Sequence, residues 1–226
     1  MTCADNPIAI IKVTRGGTSL RADWRVGAPA EPGVDTGFLY TALLDHVESS
    51  LAELTADGST ANVQGFIWHQ GESDRNSTSA CGDRFTDLVE GVRAEFGADI
   101  PFVLGELSQD RSDNNNFNAA LDDLVTNSNV PDLGLVSSVG LTTSDDTHFV
   151  AASQILLGQR YADAIGELTP LVLLGDVNLD GTVNFLDISS FIALLTTGDL
   201  QMEGDVNKDG SVDFLDISPF ILILST

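Results

Sequence analysis

Near its carboxyl end the chain repeats itself: GDVNLDGTVNFLDISSFIALL, beginning at Gly175, returns as GDVNKDGSVDFLDISPFILIL, beginning at Gly204, at a period of 29 residues. Two segments so alike must form the same local structure twice. Within each copy oxygen-bearing side chains fall at loop positions 1, 3, 5 and 12, with glycine at 6 and a backbone carbonyl offered at 7. Asp176, Asn178, Asp180, Gly181, Thr182 and Asp187 fill these places first, and Asp205, Asn207, Asp209, Gly210, Ser211 and Asp216 fill them again. Calcium, a hard cation, is held by oxygens at this spacing, with glycine where the chain turns sharply. Two calcium ions are therefore expected, one per loop. An apolar helical stretch follows each loop, 186–195 and 215–224, and the two are expected to pack on each other. Crowded carboxylates repel, so folding of this tail is expected to depend on the ion.

Upstream of residue 170 the most informative stretch is GFIWHQGESD, residues 65–74. Phe66, Ile67 and Trp68 are too apolar for a solvated strand and too few for a helix, which suits a buried parallel strand. The run then breaks into His69, Gln70, Glu72, Ser73 and Asp74, with Gly71 to let the backbone turn. In open α/β sheets ligands sit just beyond the carboxyl ends of the strands, where these side chains fall.

The rest of this part alternates. Residues 8–13 read as a buried strand, followed by the hydroxyl-rich turn Thr14-Arg15-Gly16-Gly17-Thr18-Ser19, whose backbone N–H groups could face an anion. Residues 36–54 carry a helical stripe of Leu39, Leu43, Val47, Leu51 and Leu54, closed by Gly58, with His46 beside it as a structural residue. Phe85, Leu88, Val92 and Phe96 mark a second helix that ends at Gly97. Residues 100–107 and 133–139 read as strands, and 114–125 and 150–165 as helices. Strands alternating with helices imply a parallel sheet covered on both faces. Just past the last strand comes Ser144-Asp145-Asp146-Thr147-His148. A turn of that length lets the Asp145 carboxylate reach the His148 Nδ1–H, which leaves Nε2 free to act as a base.

Composition narrows the function classes. With 42% hydrophobic and 19% charged residues the chain can build a core, and 226 residues suit a medium domain, 1–169, and a small one, 170–226. The net charge of −24 reflects 34 acidic residues against 10 basic ones. Such a surface repels phosphate backbones and anionic headgroups, which argues against nucleic-acid and membrane-surface binding. No apolar run reaches membrane-spanning length, so membrane insertion is not expected. Cys3 and Cys81 are compatible with a disulfide or with two thiols. The first 13 residues show no basic n-region and no apolar h-region before a cleavage site, so no signal peptide is read there.

Three blocks, RGGTSL at 15–20, IWHQGESD at 67–74, and DDTHF with LGQRYADA within 145–164, together resemble the sialate O-acetylesterase and acetylxylan esterase branch of the SGNH hydrolases. The resemblance covers about residues 8–166. It implies a flavodoxin-like, doubly wound parallel sheet and a Ser-His-Asp triad that removes acetyl groups from sugars, with no cofactor for catalysis. Carried over block by block, His148 is the general base, Asp145 its orienting acid, Gly17 and Gln70 the oxyanion donors, and Trp68 and Glu72 supporting residues. In that family the nucleophilic serine comes from a GQSN-like turn after the first strand, and this sequence holds no such turn. Ser19 and Ser73 lie in other blocks, outside any nucleophile-elbow pattern. The first, central strand of a 2-1-3-4-5 sheet is thereby missing from this chain, and the strands at 8–13 and near Val63 are expected to flank a gap.

Asp at loop position 12 and a single helix after each loop resemble type I dockerins, over about residues 175–226. That resemblance implies a small all-α domain with a cohesin-like protein partner. The partner-facing places hold Phe185, Leu186, Ile188 and Ser189, then Phe214, Leu215, Ile217 and Ser218, two markedly apolar faces. Together the readings lead to an extracellular or surface-bound carbohydrate O-acetylesterase with a calcium-dependent docking module. Its rival is an inert binding protein built on a degenerate esterase core.

Overall fold

A computed structural model describes residues 8–27, 37–59, 61–78, 81–168, 173–197, 199 and 201–224; Cys3 and Thr36 lie outside them. The chain divides into two compact units, Met1–Thr169 and Pro170–Thr226.

Among the described residues the first unit holds a parallel sheet of three strands in the order β1 (Phe66–Trp68), β2 (Phe102–Gly105), β3 (Leu133–Val136). Phe66 pairs with Phe102 and Phe102 with Leu133, so the strands run in step. β2 is buried at all four positions, as a strand with neighbours on both edges and helices on both faces must be. Its side chains alternate between two cores. Phe102 and Leu104 join Trp68 and the apolar stripes of α1 (Phe38–Ala56), α2 (Cys81–Phe96) and α3 (Asn115–Asn127). Val103 turns the other way, to Val136, Phe149, and Leu157 and Tyr161 of α4 (Ala151–Leu168). Helices on both faces of a parallel sheet are the doubly wound arrangement.

One expected strand does not form. Residues 8–13 join no ladder; Ile8 and Ile10 are 88% and 89% exposed, while Ile11 and Val13 pack partly on the larger core. A strand exists through the hydrogen bonds of a neighbour, and among the described residues no ladder or bridge includes this segment. Among the described residues β1 is an edge strand of the sheet. His46 is exposed on α1, outside the core, and Cys81 is a buried free thiol whose pKa burial pushes up to about 12.

In the second unit, α5 (Asp187–Thr197) and α6 (Ile217–Leu224) pack through Phe191 and Phe220, whose rings stack 4.0 Å apart. Val177, Val206 and Val212 complete the core. The duplicated apolar stretches do pack on each other.

Candidate active site and calcium loops

Beyond the carboxyl end of β1 lies a cleft of about 310 Å³ lined by residues 14–18, His69, Gln70, Glu72, Ser73, Thr147 and His148. Three blocks far apart in the chain thus meet at one place. The turn carrying His148 is closed by an antiparallel bridge between Thr143 and Phe149, and the Ser144 N–H donates to the His148 carbonyl at 2.9 Å. At its tip Asp146 takes a left-handed φ of 63°. Asp145 is bound from three sides: Oδ2 lies 2.7 Å from His148 Nδ1, and Oδ1 accepts the N–H groups of His148 at 2.7 Å and Thr147 at 3.2 Å. Those bonds favour the anion and hold the Asp145 carboxyl at a pKa of about 2. The anion in turn raises the pKa of His148, through their hydrogen bond and then their charges. Its imidazole side chain is 78% exposed, so the cleft offers a base that is open to an incoming group.

Facing it, Gly17 sits at the bend of the glycine turn with φ of 73°. No acceptor meets the Gly17 N–H among the described residues. Gln70 is placed otherwise. Its Nε2 donates to the Thr18 carbonyl at 2.6 Å and to Asp74 Oδ2 at 3.2 Å, while Oε1 is buried without a partner. Two acceptors around Nε2 settle which end of the amide is the nitrogen. Asp74, 3% exposed, also accepts the Leu20 N–H at 2.7 Å and the Arg21 N–H at 3.3 Å. Gln70 and Asp74 therefore staple the glycine turn to the end of β1.

Trp68 belongs to the core, edge-on to Trp24 at 5.0 Å and to Phe85 at 6.0 Å. Glu72 lines the cleft and accepts the Gly71 N–H at 3.1 Å. Ser73 is exposed on the cleft wall with no hydrogen bond to its hydroxyl among the described residues. Ser19 caps a turn instead: its N–H donates to Asp23 at 2.7 Å, and its hydroxyl accepts the Ala22 N–H at 3.2 Å.

In the tail the two loops share one hydrogen-bonding scheme. Asp176 Oδ1 accepts the Asp180 N–H at 3.0 Å and Oδ2 the Gly181 N–H at 2.8 Å; Asp205 does the same for Asp209 at 3.0 Å and Gly210 at 2.9 Å. Left-handed φ values at Leu179 and Lys208, 60° and 62°, precede Gly181 and Gly210 at 85° and 89°. Asp187 and Asp216 are fully buried, each meeting two backbone N–H groups. Among the described residues no cationic side chain pairs with either. A buried carboxylate without a counter-charge is costly, and a cation in the loop would offset it, so the donor set fits calcium. The acids do not converge as a cluster of three among the described residues; each loop mixes carboxylate, amide and backbone oxygens.

The model of the carbohydrate esterase family of sialic acid-specific acetylesterases matches residues 2–167. The chain belongs to that family. A type I dockerin domain follows it, matched over residues 174–223. An X-ray structure of an Arabidopsis thaliana protein is similar, at 21% identity and a TM-score of 0.54, covering 67% of this chain and 58% of that one. The likeness bears on fold, and the chain spans under two thirds of that relative's length. No curated protein matches the chain.

Sequence reasoning passed over one residue that lines the cleft and the buried residue bonded to it. His69 stands inside the most specific block yet was read as a polar neighbour, and Tyr161, from α4, reaches its Nδ1 at 2.7 Å. The spacing of 92 residues between them carries no pattern a sequence reader can use.

Proposed function

We propose that this chain is a carbohydrate O-acetylesterase module joined to a calcium-dependent docking module that engages a cohesin-like partner outside the cell. The observation that carries the esterase reading is the cleft that gathers Gly17, His148 and the Asp145 carboxylate at one sheet edge. In this reading His148 takes the proton of a serine hydroxyl through Nε2, Asp145 holds the imidazole by Nδ1–H, and the Gly17 N–H meets the charge that develops on the acyl oxygen. Gln70 supports that site by fixing the glycine turn rather than through its own amide. Calcium would be held by Asp176, Asn178, Asp180, Thr182 and Asp187 and by Asp205, Asn207, Asp209, Ser211 and Asp216; when bound it neutralises the loop carboxylates.

The apolar pairs that would meet a partner are open: Phe185 and Phe214 are 74% and 77% exposed, and Leu186 and Leu215 beside them are exposed as well. The inert-binder reading rests on one observation, that among the described residues no hydroxyl is hydrogen-bonded to the His148 imidazole, whose Nδ1 meets Asp145. An acetate-release assay on acetylated xylan separates the two. This chain alone is expected to give residual turnover. The same chain carrying a strand and GQSN-type turn grafted upstream is expected to hydrolyse the ester in a His148-dependent way. Binding of the acetylated chain by the grafted protein without acetate release would favour the inert reading.

A further inference from the structure

With both N–H bonds of Gln70 spent on Thr18 and Asp74, the cleft has room for another donor, and the neighbouring residue fits. His69 lines the cleft, and its Nδ1 lies 2.7 Å from the Tyr161 hydroxyl. Its Nε2 meets no partner among the described residues and is not one of the side-chain atoms sealed without a partner. The ring edge that carries Nε2 therefore opens on the cleft.

Tyr161 decides which nitrogen holds the proton. The phenol is 6% exposed, and burial keeps it protonated. His69 is its one hydrogen-bond partner among the described residues. Were Nδ1 protonated, the phenol would accept and its own O–H would be stranded in the core, the costly choice. Tyr161 thus donates to Nδ1, and the imidazole proton sits on Nε2. Burial also lowers the pKa of His69, which keeps the ring neutral. The backbone leaves space for this pair: a Cβ at Gly105 would collide with the Tyr161 hydroxyl and with His69 Nδ1.

We propose that His69 is a neutral hydrogen-bond donor of the cleft, offering Nε2–H to the acyl oxygen of a bound acetyl ester or to product acetate, with Tyr161 as the residue that positions it. The assignment rests on the esterase reading of this cleft. It divides the work between two histidines: His148 moves a proton, and His69 binds an oxygen without ionising.

Nitrogen NMR of the imidazole side chains tests it on the full chain, which has three histidines to assign. The expected spectrum shows His69 with a bare Nδ1 and a protonated Nε2; the opposite tautomer would overturn the proposal. Titration with acetate and with an acetylated xylo-oligosaccharide is then expected to shift His69 Nε2. Tyr161→Phe should mix the tautomers and weaken acetate about 3- to 10-fold, the effect of one modest hydrogen bond. His69→Gln, which keeps a neutral donor, should retain more affinity than His69→Leu. Shifts at Gly17 and His148 with none at His69 would refute the assignment while leaving the esterase reading intact. Silence across the whole cleft would remove both.

Discussion

The bond between His148 Nδ1 and Asp145 is short, exposed and local, so its effect can be read in a pH profile. A raised His148 pKa means the imidazole stays charged, and useless as a base, to a pH above its ordinary 6.5. In the grafted, serine-bearing chain the acidic limb of kcat/KM is therefore expected above pH 6.5, and Asp145→Asn should move it down by removing the carboxylate that raises it. That substitution should also cost on the order of 10³-fold in kcat, since an amide permits the wrong tautomer. Asp146→Asn, at the left-handed tip of the turn, should change either quantity little. A profile insensitive to Asp145→Asn would show that the pair does not carry the chemistry. The contribution to stability has a sign of its own. For the raised His148 it is full at low pH and fades as pH rises through its folded pKa. For Asp145 it is present above 3.8 and lost as pH falls toward about 2.

The segments that build the cleft are held together by buried side chains rather than by the sheet. Asp74 gathers the N–H groups of Leu20 and Arg21 and the amide of Gln70, so Asp74→Ala strands donors in a dry place. A loss of roughly 2–4 kcal/mol is expected, with Asp74→Asn less severe; thermal unfolding of the esterase unit measures it. Gly71 answers a different demand. A Cβ there would run into the Phe117 ring, which is fully buried at the start of α3, so Gly71→Ala should cost about 1–3 kcal/mol by overpacking. Calorimetry that found either substitution neutral would contradict this account of the cleft's support. The helices were legible because each shows a long apolar stripe, and three of the four expected strands were legible as short buried runs. The stretch at 8–13 looked the same, yet a strand also needs a partner, which no window of residues reveals.

Two units with separate cores should respond separately to chelation. In calcium the full chain is expected to unfold in two steps, and a chelator should lower or abolish the step of the dockerin while leaving that of the esterase unit in place. An unchanged pair of transitions would show that Asp187 and Asp216 tolerate burial without a cation. Loss of the ion should also abolish any protein partner that grips the loops near Phe185 and Phe214, which a pull-down with and without chelator would show. Among the described residues no helix is long and apolar enough to cross a membrane. The net charge of −24 spreads over both units.

Whatever is written in short spacings, the sequence determined alone. The two acidic loops of the tail repeat fixed offsets within twelve positions, the Asp145–His148 turn closes over three, and backbone geometry at such distances leaves few alternatives. Tertiary structure decided what depends on encounters between distant segments. It engaged the Gln70 amide with Thr18 and Asp74, and it denied residues 8–13 a ladder. It also brought Tyr161 to His69 across 92 residues. A buried polar group takes the partner that packing brings within reach, and packing is a property of the assembled core.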